Sequence, residues 1–340
     1  MNININSSII EPAFTALLAN SKEDSELRMD LEILSSNSGP FAIKRKGNKI
    51  VESYPWPIGK EFSTLISSSY GFRDQKRLLK IFRVAERITQ FISFCWLIQI
   101  WDTKRLLPNL ELTSDFKTQF KNIHKPSVGT YLGLIRSISN ILFNIDQPYF
   151  FQGPHIIDQT KKLVDQIEKL IVVRNKEVHF KEEIICEDAE EILANILVSS
   201  SFLVNFPMVS VKDINVTKHK LTEAKYVHVI DQLNSQRSEF SGGMIEMDEF
   251  TDSFSVLLIE NIQSMGTYLN LSPLIINTEP FLASRGRSKV LQGLYVYSEK
   301  ERENIKYSFV NESEIHSLND MPQSNVFLRQ WDNIFNVLSQ

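Results

Sequence analysis

RDQKRLLKIFRVAERITQFISFCWLIQIWD, residues 73–102, is the stretch on which the fold turns. Leu78, Ile81, Phe82, Ala85, Ile88 and Ile92 recur with the i, i+3, i+4, i+7 spacing of a core-facing helix. Arg73, Lys76, Arg77, Lys80, Arg83 and Arg87 occupy the opposite face. Such a basic stripe has two readings. It is a solvated face opposite an apolar one, or it follows the phosphates of an RNA backbone. The run FISFCWLIQIW at 91–101 is too short to cross a bilayer and suits a buried helix.

Downstream, three more segments carry helical spacing. PSVGTYLGLIRSISNILF begins near Ser127, which can cap it. DQTKKLVDQIEKLIVVRNKEVHF begins at Asp158, expected to cap it, and carries apolar residues at Leu163, Ile167, Leu170 and Ile171. CEDAEEILANILVSSSFLVNF places acids in its first turn, where the helix dipole favours them. Four long helices make an α-bundle over residues 61–206.

Two flanking segments read differently. Residues 1–60 look like a small mixed segment, with helical spacing in IIEPAFTALLA and ELRMDLEILSS. FAIKRKGNKIVE reads as a hairpin about a Lys-Gly-Asn-Lys turn, and Pro55 and Pro57 break any helix that follows. After Pro207, the segments KYVHVIDQL, FSVLLIENI, TYLNLSPLIIN, LQGLYVYS and IKYSFVN are short and rich in β-branched and aromatic residues, as strands are. NSQRSEFSGG, containing Ser241-Gly242-Gly243, reads as a loop, and NVFLRQWDNIFNVL as a closing helix. Residues 207–340 are therefore expected to form a small sheet-containing domain.

Composition narrows the function classes. A hydrophobic fraction of 42% over 340 residues supports more than one core. A net charge of −4 argues against wholesale coating of nucleic acid but leaves room for a local basic groove. Cys95 and Cys186 are far apart, with no Cys/His grouping to hold zinc, so both are expected to be buried thiols in a reducing compartment. MNININSSII lacks the basic and apolar regions of a signal peptide, so a cytoplasmic protein is expected. The sequence carries no HExxH, P-loop, GxGxxG or GxSxG pattern, and no metal or cofactor is expected.

One stretch carries chemistry. IVVRNKEVHF, residues 171–180, brings Arg174, Asn175 and His179 together at the end of a helix. An imidazole exchanges protons near neutral pH. A guanidinium offers planar charged donors to phosphate oxygens. An amide can orient either group. Such a set suits cleavage of RNA by its own 2′-hydroxyl, without a metal. On an ideal helix, residues five apart point roughly 140° apart. Convergence on one phosphate therefore requires the helix to end or kink, or a second copy to complete the cleft.

The RNKEVH stretch resembles the R-x4-6-H signature of HEPN domains, in which a polar residue often follows the arginine. The resemblance covers residues 65–206. It implies that the bundle at the centre of this α+β chain is a HEPN-like helical bundle that dimerises and places two motifs in one cleft. It also implies a metal-independent endoribonuclease of prokaryotic antiphage or stress defence, acting as a toxin or abortive-infection effector under the restraint of a regulatory or antitoxin partner. Arg174 would hold the phosphate, Asn175 would orient, and His179 would act as general acid and base.

Two other readings stand beside it. Arg174 and Glu177 can form an i, i+3 helix pair, with His179 a half-buried residue at the helix end. Alternatively the bundle dimerises and binds a partner without cutting, as a scaffold or sensor. The remaining histidines, His124, His155, His219, His228 and His316, have no spaced partners and read as surface or satisfied residues. Tyr268, Tyr295, Tyr297, Tyr307 and Phe309 alternate along expected strands, where they either pack a core or stack bases.

Overall fold

The computed structural model describes residues 5–22, 25–146, 148–175, 186–233, 241–247, 251–252, 255–260, 267–278, 293–309, 315–321 and 324–339. In chain order the helices are α1 (Ser7–Asn20), α2 (Glu26–Ser35), α3 (Pro40–Ser53), α4 (Trp56–Leu65), α5 (Gln75–Leu106), α6 (Ser114–Lys121), α7 (Val128–Leu142), α8 (Pro154–Asn175), α9 (Cys186–Ser199) and α10 (Ser324–Leu338). The strands are β1 (Met208–Thr217), β2 (Lys225–Gln232), β3 (Ser241–Met247), β4 (Val256–Ile259), β5 (Tyr268–Asn270), β6 (Ile275–Asn277), β7 (Leu294–Glu301), β8 (Asn304–Phe309) and β9 (Ile315–Ser317). The fold is α+β, with its sheets in the C-terminal region. Among the described residues no helix is long and apolar enough to cross a membrane.

The chain falls into two compact units. The first is built mainly from Met1–Phe91 and Phe151–Phe206, and the second from Ile92–Phe150, Pro207–Leu233 and Glu239–Gln340. Helix α5 contributes its N-terminal part to the first unit and its C-terminal part to the second.

In the first unit, α1 packs against α3 and α9, and α8 packs along α9. The segment expected as a hairpin is helix α3. Gly47, read as a turn residue, serves instead as a close-approach point. A Cβ there would lie 2.9 Å from Ile10 Cδ1 and 3.1 Å from Ile66 Cδ1. The elements described within residues 1–60 are thus all helices, with no strand among them. Pro55 does separate two helices, but Pro57 sits in the first turn of α4, where proline's missing N–H costs nothing. Helix α8 begins at Pro154, so Asp158 lies within it and pairs with Lys162 at 2.7 Å rather than capping.

In the second unit, Ser127 caps α7 as its sequence indicates. Its hydroxyl accepts from Thr130 N at 3.3 Å, and Thr130 Oγ1 accepts from Ser127 N at 3.2 Å. A five-stranded antiparallel sheet runs β3-β2-β1-β4-β5, and a four-stranded one runs β6-β7-β8-β9. Ser241-Gly242-Gly243 belongs to β3, paired with β2, and is not a loop. Val209, Val211, Ile230, Ile245, Leu257 and Ile259 form one apolar face of the larger sheet. A bulge between Val211 and Asp213 shifts the alternation so that Ile214 joins that face. On α10, Phe327, Trp331, Ile334 and Leu338 are buried at helical spacing. Trp331 Nε1 donates to Tyr307 Oη at 2.8 Å, which in turn donates to Pro273 O at 2.6 Å.

Candidate functional site

Helix α8 buries Leu163, Ile167 and Leu170, residues that share one face at i, i+4 and i+7. Arg174 lies four residues past Leu170, so it continues that packed face at the last turn, where it is half-buried. A cation at this end is also favoured by the helix dipole. Asn175, the last helical residue, is exposed. His179 and Glu177 lie outside the described residues. Among the described residues Arg174 forms no ion pair. The apolar Val172 beside it is exposed.

The basic stripe along α5 is solvated only in part. Arg77 is 0% exposed, and Lys80 and Arg87 are buried. The cause is two carboxylates that pattern reading overlooked. Arg77 Nε donates to Glu190 Oε1 at 2.6 Å, and its Nη1 reaches Asn6 Oδ1 at 3.0 Å and Tyr70 O at 2.8 Å. Glu61, also 0% exposed, pairs with Lys80, and Arg83 Nε and Arg87 Nη2 approach it at 3.6 and 3.8 Å. Arg73 joins Glu187 at 2.6 Å and Glu190 at 2.9 Å. Its hydrogen bond to Glu190 raises its pKa further. The acids at the start of α9 therefore do more than answer the helix dipole.

That leaves a smaller exposed set. Lys76, Arg83 and Arg73 retain exposure, with Lys76 over the Tyr70 ring at 4.8 Å. The signal that would have located Glu61 is positional. It falls between Ile58 and Phe62 on a helix whose apolar residues are buried. A charge on such a face must be met by opposite charge.

The aromatic alternation serves packing at three positions, because Tyr295, Tyr297 and Tyr307 are buried. Tyr297 packs at a tilt against Trp331, with ring centroids 4.5 Å apart, and donates to Ile123 O at 2.8 Å. Both cysteines are buried free thiols, and burial pushes the Cys186 pKa up to about 11. His155 Nε2 lies 2.5 Å from Asn20 Oδ1, and His124 stacks on Phe335. His228 is wholly buried, and its Nε2 accepts from Thr251 N at 3.4 Å. Burial lowers its pKa. Among the described residues no group of three or more His, Cys, Asp or Glu could hold a metal.

Compared with protein-family models, curated proteins and solved structures, the chain matches none.

Proposed function

We propose that the chain is a cytoplasmic, metal-independent endoribonuclease of the HEPN type, acting as a homodimer in prokaryotic antiphage or stress defence. The observation that carries the reading is Arg174. The other arginines named on the first unit's inner helices are engaged with Glu61, Glu187 and Glu190. Arg174 emerges from the packed face of α8 without an ion pair among the described residues. A guanidinium in that position offers planar charged donors that match phosphate oxygens.

In the proposed reaction His179 takes the proton of a ribose 2′-hydroxyl. The 2′-oxygen forms a bond to phosphorus, and the bond from phosphorus to the 5′-oxygen breaks. His179 of the second copy gives that oxygen its proton. The products are a 2′,3′-cyclic phosphate and a free 5′-hydroxyl. Arg174 neutralises charge on the phosphoryl oxygens as it develops. Exposed Val172 beside the motif gives a second copy an apolar contact.

The test is cleavage of labelled RNA by purified protein in EDTA. His179→Ala is expected to lower the rate by about 100-fold or more, and Arg174→Ala by a similar factor. Undiminished cleavage by a folded His179→Ala variant would overturn the reading. A second reading, a partner-binding module without catalysis, is favoured by Met29 and Ile33, exposed one turn apart on α2, and by exposed Phe41 at the start of α3. Absence of cleavage in wild-type protein, with a partner retained by that surface, would select it.

A further inference from the structure

The second unit contains a cavity of about 580 Å³ that the ribonuclease reading does not use. The last turns of α5 supply Trp101, Asp102 and Arg105 to its wall. Thr251 and Asp252 come from the chain before β4, Tyr268 from β5, and Gln330 from α10. The volume is that of an ordinary small-molecule site.

Three polar atoms in this wall lack partners among the described residues. They are Thr251 Oγ1, Ser272 Oγ and Gln330 Oε1. Thr251 is 2% exposed and Ser272 3% exposed, so bulk water does not explain how these hydroxyls are satisfied. Buried polar groups are normally paired, and unpaired ones gathered around one cavity point to an occupant.

The charges specify that occupant. Asp102 and Asp252 repel each other electrostatically across the site. Asn270 Nδ2 donates to Asp252 at 3.1 Å and holds it in place. Among the described residues Arg105 is the one cation in the wall. It lies 3.6 Å from Asp102 and rests over the Trp101 ring at 5.4 Å, so it offsets only one of the two carboxylates. Gln330 Oε1 can only accept. Two carboxylates and an amide oxygen against one guanidinium select a positively charged ligand rich in N–H donors. Trp101, Leu106 and Tyr268 offer its hydrocarbon body an apolar wall.

We propose that this cavity binds a small organic cation, an alkylammonium or amidinium compound, between the carboxylates of Asp102 and Asp252.

Calorimetry on the full chain with spermidine and with benzamidine tests this. Either probe is expected to bind. Asp102→Asn and Asp252→Asn, checked for retained fold by circular dichroism, should each weaken binding tenfold or more. Affinity should fall as pH drops from 7 to 5. Burial, with a contribution from Asp252 and against the opposing effect of Arg105, pushes the Asp102 pKa up to about 6, so protons compete with the ligand there. Arg105→Ala gives the sharpest sign. Removing the resident cation should tighten binding of either probe.

Failure of both probes to bind at millimolar concentration would overturn the proposal. So would binding undiminished in both Asn variants. Binding of AMP that is lost in Arg105→Ala would also overturn it, by showing an anion site. None of these residues belongs to the Arg174 motif, so RNA cleavage and cation binding succeed or fail independently.

Discussion

At the scale of single residues, Glu190 shows how a burial cost is met. Its carboxylate receives Arg77 and Arg73 and also accepts from Ser8 Oγ at 3.0 Å. Arg77 and Glu190 are both withdrawn from water, so each is tolerable only because of the other. Arg77→Ala leaves a buried carboxylate short of a partner and is expected to destabilise the fold by about 3–5 kcal/mol. Arg73→Ala removes a half-exposed contact that solvent screens, and about 1 kcal/mol or less is expected. Chemical denaturation of both variants measures the contrast. Equal losses would mean that the burial difference does not govern these pairs.

Pattern reading erred on these same residues, for a physical reason. Helical periodicity tells apolar from polar positions. It does not tell a cation facing water from one facing a buried acid on another helix. Arg77 and Lys80 fall on the correct side of α5 by period, yet Glu190 and Glu61 draw that side into the interior. Arg174 is the complementary case. Its position four residues after Leu170 was legible, but which acids reach it depends on what the other elements present, and among the described residues none forms an ion pair with it.

At the scale of elements, local chemistry decided where local signals were strong. Ser127 and Thr130 start α7 through reciprocal hydrogen bonds that the Ser-x-x-Thr spacing announces. The β-branched runs after Pro207 became strands for the reasons their composition indicates. Failure came where a residue had two uses. Gly47 suits a tight turn, but here it lets α3 approach α1. Strands β1, β3 and β9 were not among those expected; β3 carries two glycines and is held by pairing with β2, a long-range fact. Helix α10 gives the testable case at this scale. Trp331 is wholly buried, packs at a tilt against Tyr297 and donates to Tyr307. Trp331→Ala is expected to cost about 3–5 kcal/mol, because it opens a cavity and removes the donor to the Tyr307 hydroxyl. Loss of near-ultraviolet circular dichroism with a lowered melting temperature would report it.

At the scale of the whole molecule, the class was readable: helices dominate the first two-thirds, and sheets follow. Neither the cavity at the end of α5 nor its charge set was readable, because its wall comes from segments far apart in sequence. The overall charge of −4 and the internal use of cations limit how the proposed RNA substrate would be held. Should Arg73, Lys76, Arg83 and Arg174 be the phosphate contacts, single-stranded RNA binding per protomer should fall with log salt at a slope no steeper than about −3. Filter binding across a salt series measures this. A much steeper slope would place the main contacts elsewhere on the surface.

The carboxylate of Glu61 has a bearing on which sequence changes this protein can absorb. Lys80, Arg83 and Arg87 gather round it, and two of the three are as hidden as it is. A descendant that exchanged the acid for a neutral residue would strand those cations in a poorly polarisable interior. One that kept the acid but neutralised position 80 would leave it only the more distant Arg83 and Arg87. Divergence at 61 should therefore be concerted with change at 80 and 87, the buried acid and its buried cations being replaced together by apolar residues of similar bulk or retained together.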